Sequence, residues 1–118
     1  MSLRTDRVAS LIKEEVGTLL ARDFRGNEFG FMTVTEVHMS PDLRIAKIYV
    51  SIFGTENVKK QTMEMLENQK SHIRSLIGSH VRLKFTPSIS FYLDDTLDRV
   101  ETIERIIKKI HTNEDEKN

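Results

Sequence analysis

Apolar residues at Val8, Leu11, Ile12, Val16, Leu19 and Leu20 step along the chain by threes and fours, the spacing of one helical face. Ser2 or Thr5 can cap the start of this helix, and Gly26 and Asn27 are expected to end it. The period then changes. "FMTVTEVHM" (31–39) and "RIAKIYVSIF" (44–53) are rich in β-branched and aromatic residues, and in the second Ala46, Ile48, Val50 and Ile52 alternate with Lys47, Tyr49 and Ser51. Alternation of that kind predicts a half-buried strand. Between the two runs, "SPDL" (40–43) has turn chemistry, since Pro presets φ and Asp can bond its own backbone. A hairpin is expected.

Gly54 and Thr55 open a second helical pattern, with Val58, Met65, Leu66, Ile73, Leu76 and Ile77 as its apolar positions. The step from Leu66 to Ile73 has a gap, filled by "ENQKSH", which holds no good core residue; Ser71 is a reasonable N-cap. Two helices joined at a kink near Gln69–Ser71 are therefore predicted, the second ending at Gly78 in the left-handed conformation Gly favours. "VRLKFTPSISFYL" (81–93) is expected to be a third strand with Val81, Leu83 and Phe85 on one face. Pro87 cannot donate to a ladder, so an edge position or a bulge is expected there. Thr96 can cap a last helix carrying Leu97, Val100, Ile103, Ile107 and Ile110, and the closing "TNEDEKN" lacks apolar anchors. The order is α-β-β-α-α-β with a C-terminal helix. It predicts an α+β fold, a three-stranded sheet with helices on one face, in a single domain over residues 1–111 followed by a disordered acidic tail at 112–118.

Composition narrows the function. A chain of 118 residues with 38% hydrophobic and 31% charged content suits one soluble domain with a highly charged surface. Without Cys, a disulfide framework, a thiolate metal site and a cysteine nucleophile are all excluded. No apolar run approaches the roughly 20 residues that span a bilayer, and the N-terminus lacks the uninterrupted apolar stretch of a signal peptide, so a cytoplasmic protein is expected.

Charge is zero in total but uneven in distribution. Eighteen Lys and Arg balance 18 Asp and Glu, yet residues 70–93 hold four basic residues and no acid, while residues 94–118 hold five basic and eight acidic ones. Such asymmetry points to an anionic partner for one face. A solvated face ordinarily mixes signs, because i,i+4 and cross-strand pairs then stabilise it. Here Lys70, Arg74, His80, Arg82 and Lys84 run from a short helix through a Gly turn into the expected third strand, and Ser71, Ser75 and Ser79 recur every four residues beside Arg74. Hydroxyls and cations in that arrangement suit phosphate oxygens, whose recognition gives affinity with little sequence readout. Arg4, Arg7, Arg44 and Lys47 complete the candidate RNA-binding set.

The other chemistries fare worse. His38, His72, His80 and His111 lie on four different elements with no metal-ligand spacing. Asp94 and Asp95 are adjacent, so their side chains diverge, and Asp just before a helix usually serves its dipole. There is no Gly-rich phosphate loop and no Gly-x-Ser-x-Gly turn. No enzyme and no cofactor are expected. Phe53, Phe85 and Phe91 fit a core and only Tyr49 and Tyr92 look free, so no stacking platform is evident and no recognition helix suggests the DNA major groove. Binding by shape and backbone to structured RNA fits best. The alternative is a protein–protein adaptor whose basic face meets an acidic partner.

"RVASLIKEEVGTLLARDF", "FMTVTEVHMSPDLRIAKIYVSIFG" and "HIRSLIGSHVRLKFTPSISFYLDDTLDR", with the helix after them, resemble the bacterial ribosome-binding factor A family over roughly residues 4–110. The most specific pieces are "SPDLRIAKIYVS" and "IRSLIGSHVRLKFTPSISFYLDD". The resemblance implies a type II KH-like fold and a role in late maturation of the small ribosomal subunit. It implies binding of the immature subunit near the five-prime terminal helix and decoding region of its RNA, and help with precursor rRNA processing that matters most in the cold. It further implies a non-enzymatic assembly factor, released in part through a ribosome-associated GTPase; a monomer is expected. The Gly-x-x-Gly loop of KH domains is absent. The interhelical kink of the family, often Ala-x-Gly, corresponds here to Gln69-Lys70-Ser71, which adds a charge at that point.

Overall fold

A computed structural model describes residues 3–24 and 29–95 of the chain. Its order is α1 (Leu3–Asp23), β1 (Phe31–Met39), β2 (Ile45–Phe53), α2 (Glu56–Asn68), α3 (Lys70–His80) and β3 (Ser88–Leu93). The expected α-β-β-α-α-β succession is therefore present. The expected last helix and the acidic tail lie outside the described residues, as do Gly26 and Asn27.

β2 is the central strand. It pairs antiparallel with β1, from Phe31 opposite Phe53 to Met39 opposite Ala46, with a bulge between Val34 and Glu36. On its other edge it pairs parallel with β3, from Ile45 opposite Ser88 to Val50 opposite Leu93. The inner face of β2 (Ala46, Ile48, Val50, Ile52) is buried, together with Ile89 and Phe91 of β3. Against this face pack Val8, Ile12, Val16, Leu19 and Leu20 of α1, Leu66 of α2, and Ile73 and Ile77 of α3, in a single core cluster. Leu11, which the spacing put on the same face as Ile12, is instead half exposed at the rim of the α1 stripe. A 100°-wide stripe leaves such flanking positions outside.

The hairpin turn is built from polar side chains. Ser40 Oγ donates to Asp42 Oδ1 at 2.6 Å and accepts from the backbone N–H of Ile45 at 3.0 Å, and the Arg44 N–H donates to Asp42 Oδ1 at 3.1 Å. Leu43 takes the left-handed conformation at φ 61°, and its half-buried side chain packs on the core. The Ser40 hydroxyl, then the Arg44 N–H, hold the Asp42 carboxyl below its ordinary pKa.

α2 begins at Thr55, whose side chain accepts from Val58 N–H at 3.2 Å. Its buried positions include two polar residues. The Thr62 hydroxyl donates to the Val58 carbonyl and accepts from Gly30 N–H at 3.2 Å, which satisfies it in the core. Gly30 has to be Gly, since a Cβ there would run into the Phe53 carbonyl. Lys59 buries its stem and brings Nζ to 3.8 Å from Glu56.

The kink falls at Gln69, as the gap in the apolar pattern predicted. Gln69 N–H still donates to Met65 O, and Gln69 O already accepts from Ile73 N–H, both at 2.9 Å, so one residue ends α2 and starts α3. Its φ of −94° and ψ of 3° turn the axis without a loop. Ser71 is not the cap; α3 starts one residue earlier with no side-chain cap. Nor does Gly78 end the helix. α3 runs on to His80 and closes with Val81 N–H on Ile77 O.

The expected strand over 81–93 is only half right. Residues 81–87 form an irregular segment and the ladder begins at Ser88. Pro87 stands just before β3, fully buried, where its missing N–H costs no sheet bond. Val81 reaches the core as the α3 C-cap and Leu83 is half buried, but Phe85 is 59% exposed. Phe53, at the end of β2, is 83% exposed, so of the three Phe assigned to the core only Phe91 is buried there.

Two outcomes follow. Ile48→Ala, by emptying a fully buried site, should lose roughly 2–5 kcal/mol in chemical denaturation, whereas Phe85→Ala should stay within about 0.5 kcal/mol. The Asp42 turn makes a pH-dependent contribution. With its folded pKa below the ordinary 3.8, the stability it adds is complete above that value and is lost as pH falls through the folded pKa. Asp42→Asn should therefore be less stable at neutral pH, and its deficit should narrow on acidification below about pH 4.

Candidate nucleic-acid interface

The parallel register of β2 and β3 assembles the site. With Ile45 beside Ser88, the Ser88 N–H donates to the Arg44 carbonyl at 2.8 Å, so the hairpin turn abuts the irregular segment 81–87. Arg4 of α1, Arg44, Lys84 and Phe85 line one concavity there, with Asp42, Leu43 and Leu83. Both cations nearest the ring are over Phe85, the Lys84 Nζ at 5.6 Å and the Arg44 Cζ at 5.9 Å from its centroid.

Arg74 secures the segment from behind. Its Nε donates to the Pro87 carbonyl at 3.0 Å and its Nη2 to the Thr86 carbonyl at 2.9 Å. The guanidinium fork thus binds two successive backbone acceptors that no ladder uses. Gly78, one turn further along α3, lets the segment approach, because a Cβ at that position would meet Thr86 Oγ1 at 2.7 Å.

The remaining candidates divide. Lys70 Nζ pairs with Glu67 at 2.7 Å, and His80 Nδ1 lies 2.8 Å from Glu15 of α1. These two ends of α3 are about 15 Å apart along the axis. Ser71, Ser75 and Ser79 are exposed on α3, but the Ser79 hydroxyl already donates to the Ser75 carbonyl at 3.1 Å. Lys47 stands on the outer face of the sheet, between His38 and Ser90 in register. Arg7 is exposed on α1 and does not line the concavity that Arg4 lines. The block that is free of acids in sequence is therefore not so in space. Among the described residues Arg4, Arg44, Arg82 and Lys84 form no ion pair within 4 Å; the Asp42 carboxylate, which lines the same concavity, feels the Arg44 charge but accepts its hydrogen bonds from the Ser40 hydroxyl and the Arg44 N–H.

Tyr49 and Tyr92 are not free either. Their rings stack at 5.3 Å on the outer sheet face, and His38 meets Tyr49 edge-on at 5.2 Å. Asp94 Oδ2 accepts from Thr35 Oγ1 at 2.6 Å. No group of His, Cys, Asp and Glu among the described residues could hold a metal ion.

The family model of ribosome-binding factor A matches residues 4–107. The chain belongs to the ribosome-binding factor A family. It is 44% identical over 111 residues to ribosome-binding factor A of Dictyoglomus thermophilum, covering 93% of this chain and 92% of that one. Its fold is similar to the crystal structure of ribosome-binding factor A from Thermus thermophilus, with TM-score 0.66 and 17% identity over 75% of this chain and 94% of that chain. It is also similar, with TM-score 0.61 and 18% identity, to a Thermus thermophilus ribosome binding factor A homology model fitted into a cryo-EM map of a 30S complex. That match covers 81% of this chain and 97% of the other. The likeness confirms the KH-like α+β fold, with a mixed three-stranded sheet.

What residue-level reading missed is the joining of Arg4 and Arg44 to Lys84 around an exposed Phe85. The local signal was "RLKFTP", an aromatic after two cations and two residues before a proline that bars a regular strand.

Arg74 gives the sharpest test of this arrangement. Arg74→Ala should cost about 1–2 kcal/mol, since two backbone acceptors lose a charged donor, and should raise amide hydrogen exchange across residues 82–86. Arg74→Lys, with no fork to reach both carbonyls, should recover only part of either effect.

Proposed function

We propose that this protein is a non-enzymatic ribosome assembly factor. It binds the immature small ribosomal subunit through its rRNA and assists late maturation and precursor rRNA processing, a role that matters most in the cold. Family membership supports the assignment to the small subunit, and the relative fitted into a 30S complex supports it further. The observation that carries RNA as the contacted component is the convergence of Arg4, Arg44 and Lys84, from α1, the hairpin turn and the segment before β3, on one concavity where no ion pair within 4 Å holds them; Arg82 lies two residues from Lys84 in the same segment. A solvated surface pairs its charges at little cost; Lys70 is so paired with Glu67, whereas Arg4, Arg44 and Lys84 have no ion pair within 4 Å among the described residues. Ser71, Ser75, Lys47 and Arg7 extend the surface as secondary contacts, while Arg74 acts by holding the segment before β3 in place. The protein acts as a monomer, and a ribosome-associated GTPase promotes its release.

Each phosphate contact releases condensed counterions, so losing one should reduce the slope of log affinity against log salt by about 0.7–0.9. Arg82→Ala with Lys84→Ala should weaken binding to free small subunits and flatten that slope. Lys13→Ala with Lys60→Ala, which removes equal charge elsewhere on the surface, should change neither. Co-sedimentation at several salt concentrations measures both. Binding that is unaffected by either pair, and that survives nuclease treatment of the target, would instead mark an adaptor for a protein partner.

A further inference from the structure

The ring of Phe85 is unexplained by packing: it is 59% exposed in a segment that Arg74 and Gly78 hold in place. Exposing a large apolar side chain forgoes its burial energy, and here the surroundings are cationic rather than apolar. Lys84 and Arg44 lie 5.6 and 5.9 Å from the ring centroid, at the outer edge of the cation–π range of about 6 Å, and Arg4 lines the same concavity. Cations at that distance make no close contact with the ring, and their long side chains reach far enough to meet phosphates beside it. A second concavity, lined by Arg44, Phe85, Thr86 and Ser88, adjoins the ring. Its volume of about 270 Å³ lies below the roughly 300–1,000 Å³ of sites for drug-sized ligands, so it has room for a small group only.

We infer that Phe85 is a stacking platform for one unpaired nucleobase, while Arg4, Arg44 and Lys84 hold the phosphates flanking it. The inference rests on the RNA-binding reading above and adds to it a requirement for an unstacked nucleotide. Aromatic side chains stack bases of any identity, because every base presents a π-face. Backbone anchoring by the cations fixes position without sequence readout. Arg74 is then a positioning residue, acting through the Thr86 and Pro87 carbonyls to set the ring's height above the surface.

The chain contains no Trp, so Phe85→Trp in the full-length protein introduces a single indole at the site. Titration with a short single-stranded RNA should quench its fluorescence, and an RNA of the same length carrying abasic riboses should bind without that quenching. Phe85→Ala should bind the intact RNA on the order of 10-fold more weakly and the abasic RNA as tightly as the parent, with an unchanged melting temperature. Equal quenching by the two RNAs, or parental affinity of Phe85→Ala for the intact one, would overturn stacking and leave only a phosphate-binding surface. Failure of the parent to bind either RNA at low salt would overturn both stacking and the RNA-binding reading beneath it.

Discussion

Everything in this molecule hangs on β2 being paired along both edges. Its inner side chains, Ala46 to Ile52, are buried and its outer ones are not, so the strand can sit in only one orientation. The antiparallel partner arrives through a turn of a few residues. The parallel partner cannot, because a parallel neighbour requires a long crossover, and α2 with α3 is that crossover. Ile73 and Ile77 seat α3 on the core, and this fixes which of its faces carries Arg74. The placement of the basic residues is thus a consequence of closing the sheet.

The electrostatic picture changes once the chain is folded. In sequence, residues 70–93 lack acids; in space, Glu67 and Glu15 reach Lys70 and His80. Pairs of this sort on the surface contribute little to stability, about 0–1 kcal/mol. The Lys70–Glu67 pair cancels its charge locally at the start of α3. At the junction of the hairpin turn with the segment before β3, Arg4, Arg44 and Lys84 meet with Asp42 as the one acid lining the same concavity, so positive charge predominates there.

At that junction a cation and an aromatic exchange their usual roles. Arg74 turns two of its donors onto the backbone of its own chain, satisfying carbonyls that no strand reaches. Phe85 turns outward into a cationic setting. A backbone segment without ladder bonds would ordinarily be loose, and the guanidinium fork together with the close approach allowed by Gly78 supplies the restraint.

The sequence by itself determined the elements and their inner faces. The stripe from Val8 to Leu20, the alternation from Ala46 to Ile52 and the gap between Leu66 and Ile73 are local periodicities, and each reports which side of its own element avoids water. The kink at Gln69 was legible for the same reason. Periodicity says nothing about neighbours, and so it misled wherever a neighbour decided the outcome. Val81, Leu83 and Phe85 alternate like a strand, yet helix α3 claims Val81 as its cap, and Pro87 and the Arg74 bonds keep the segment out of the ladder. Phe53 alternates in phase with the exposed positions, at the last pair of the hairpin opposite Phe31. Only the tertiary structure set residue 44 against residues 84–86, because the parallel register between β2 and β3 is chosen by the packing of the whole inner face and by no feature within either strand.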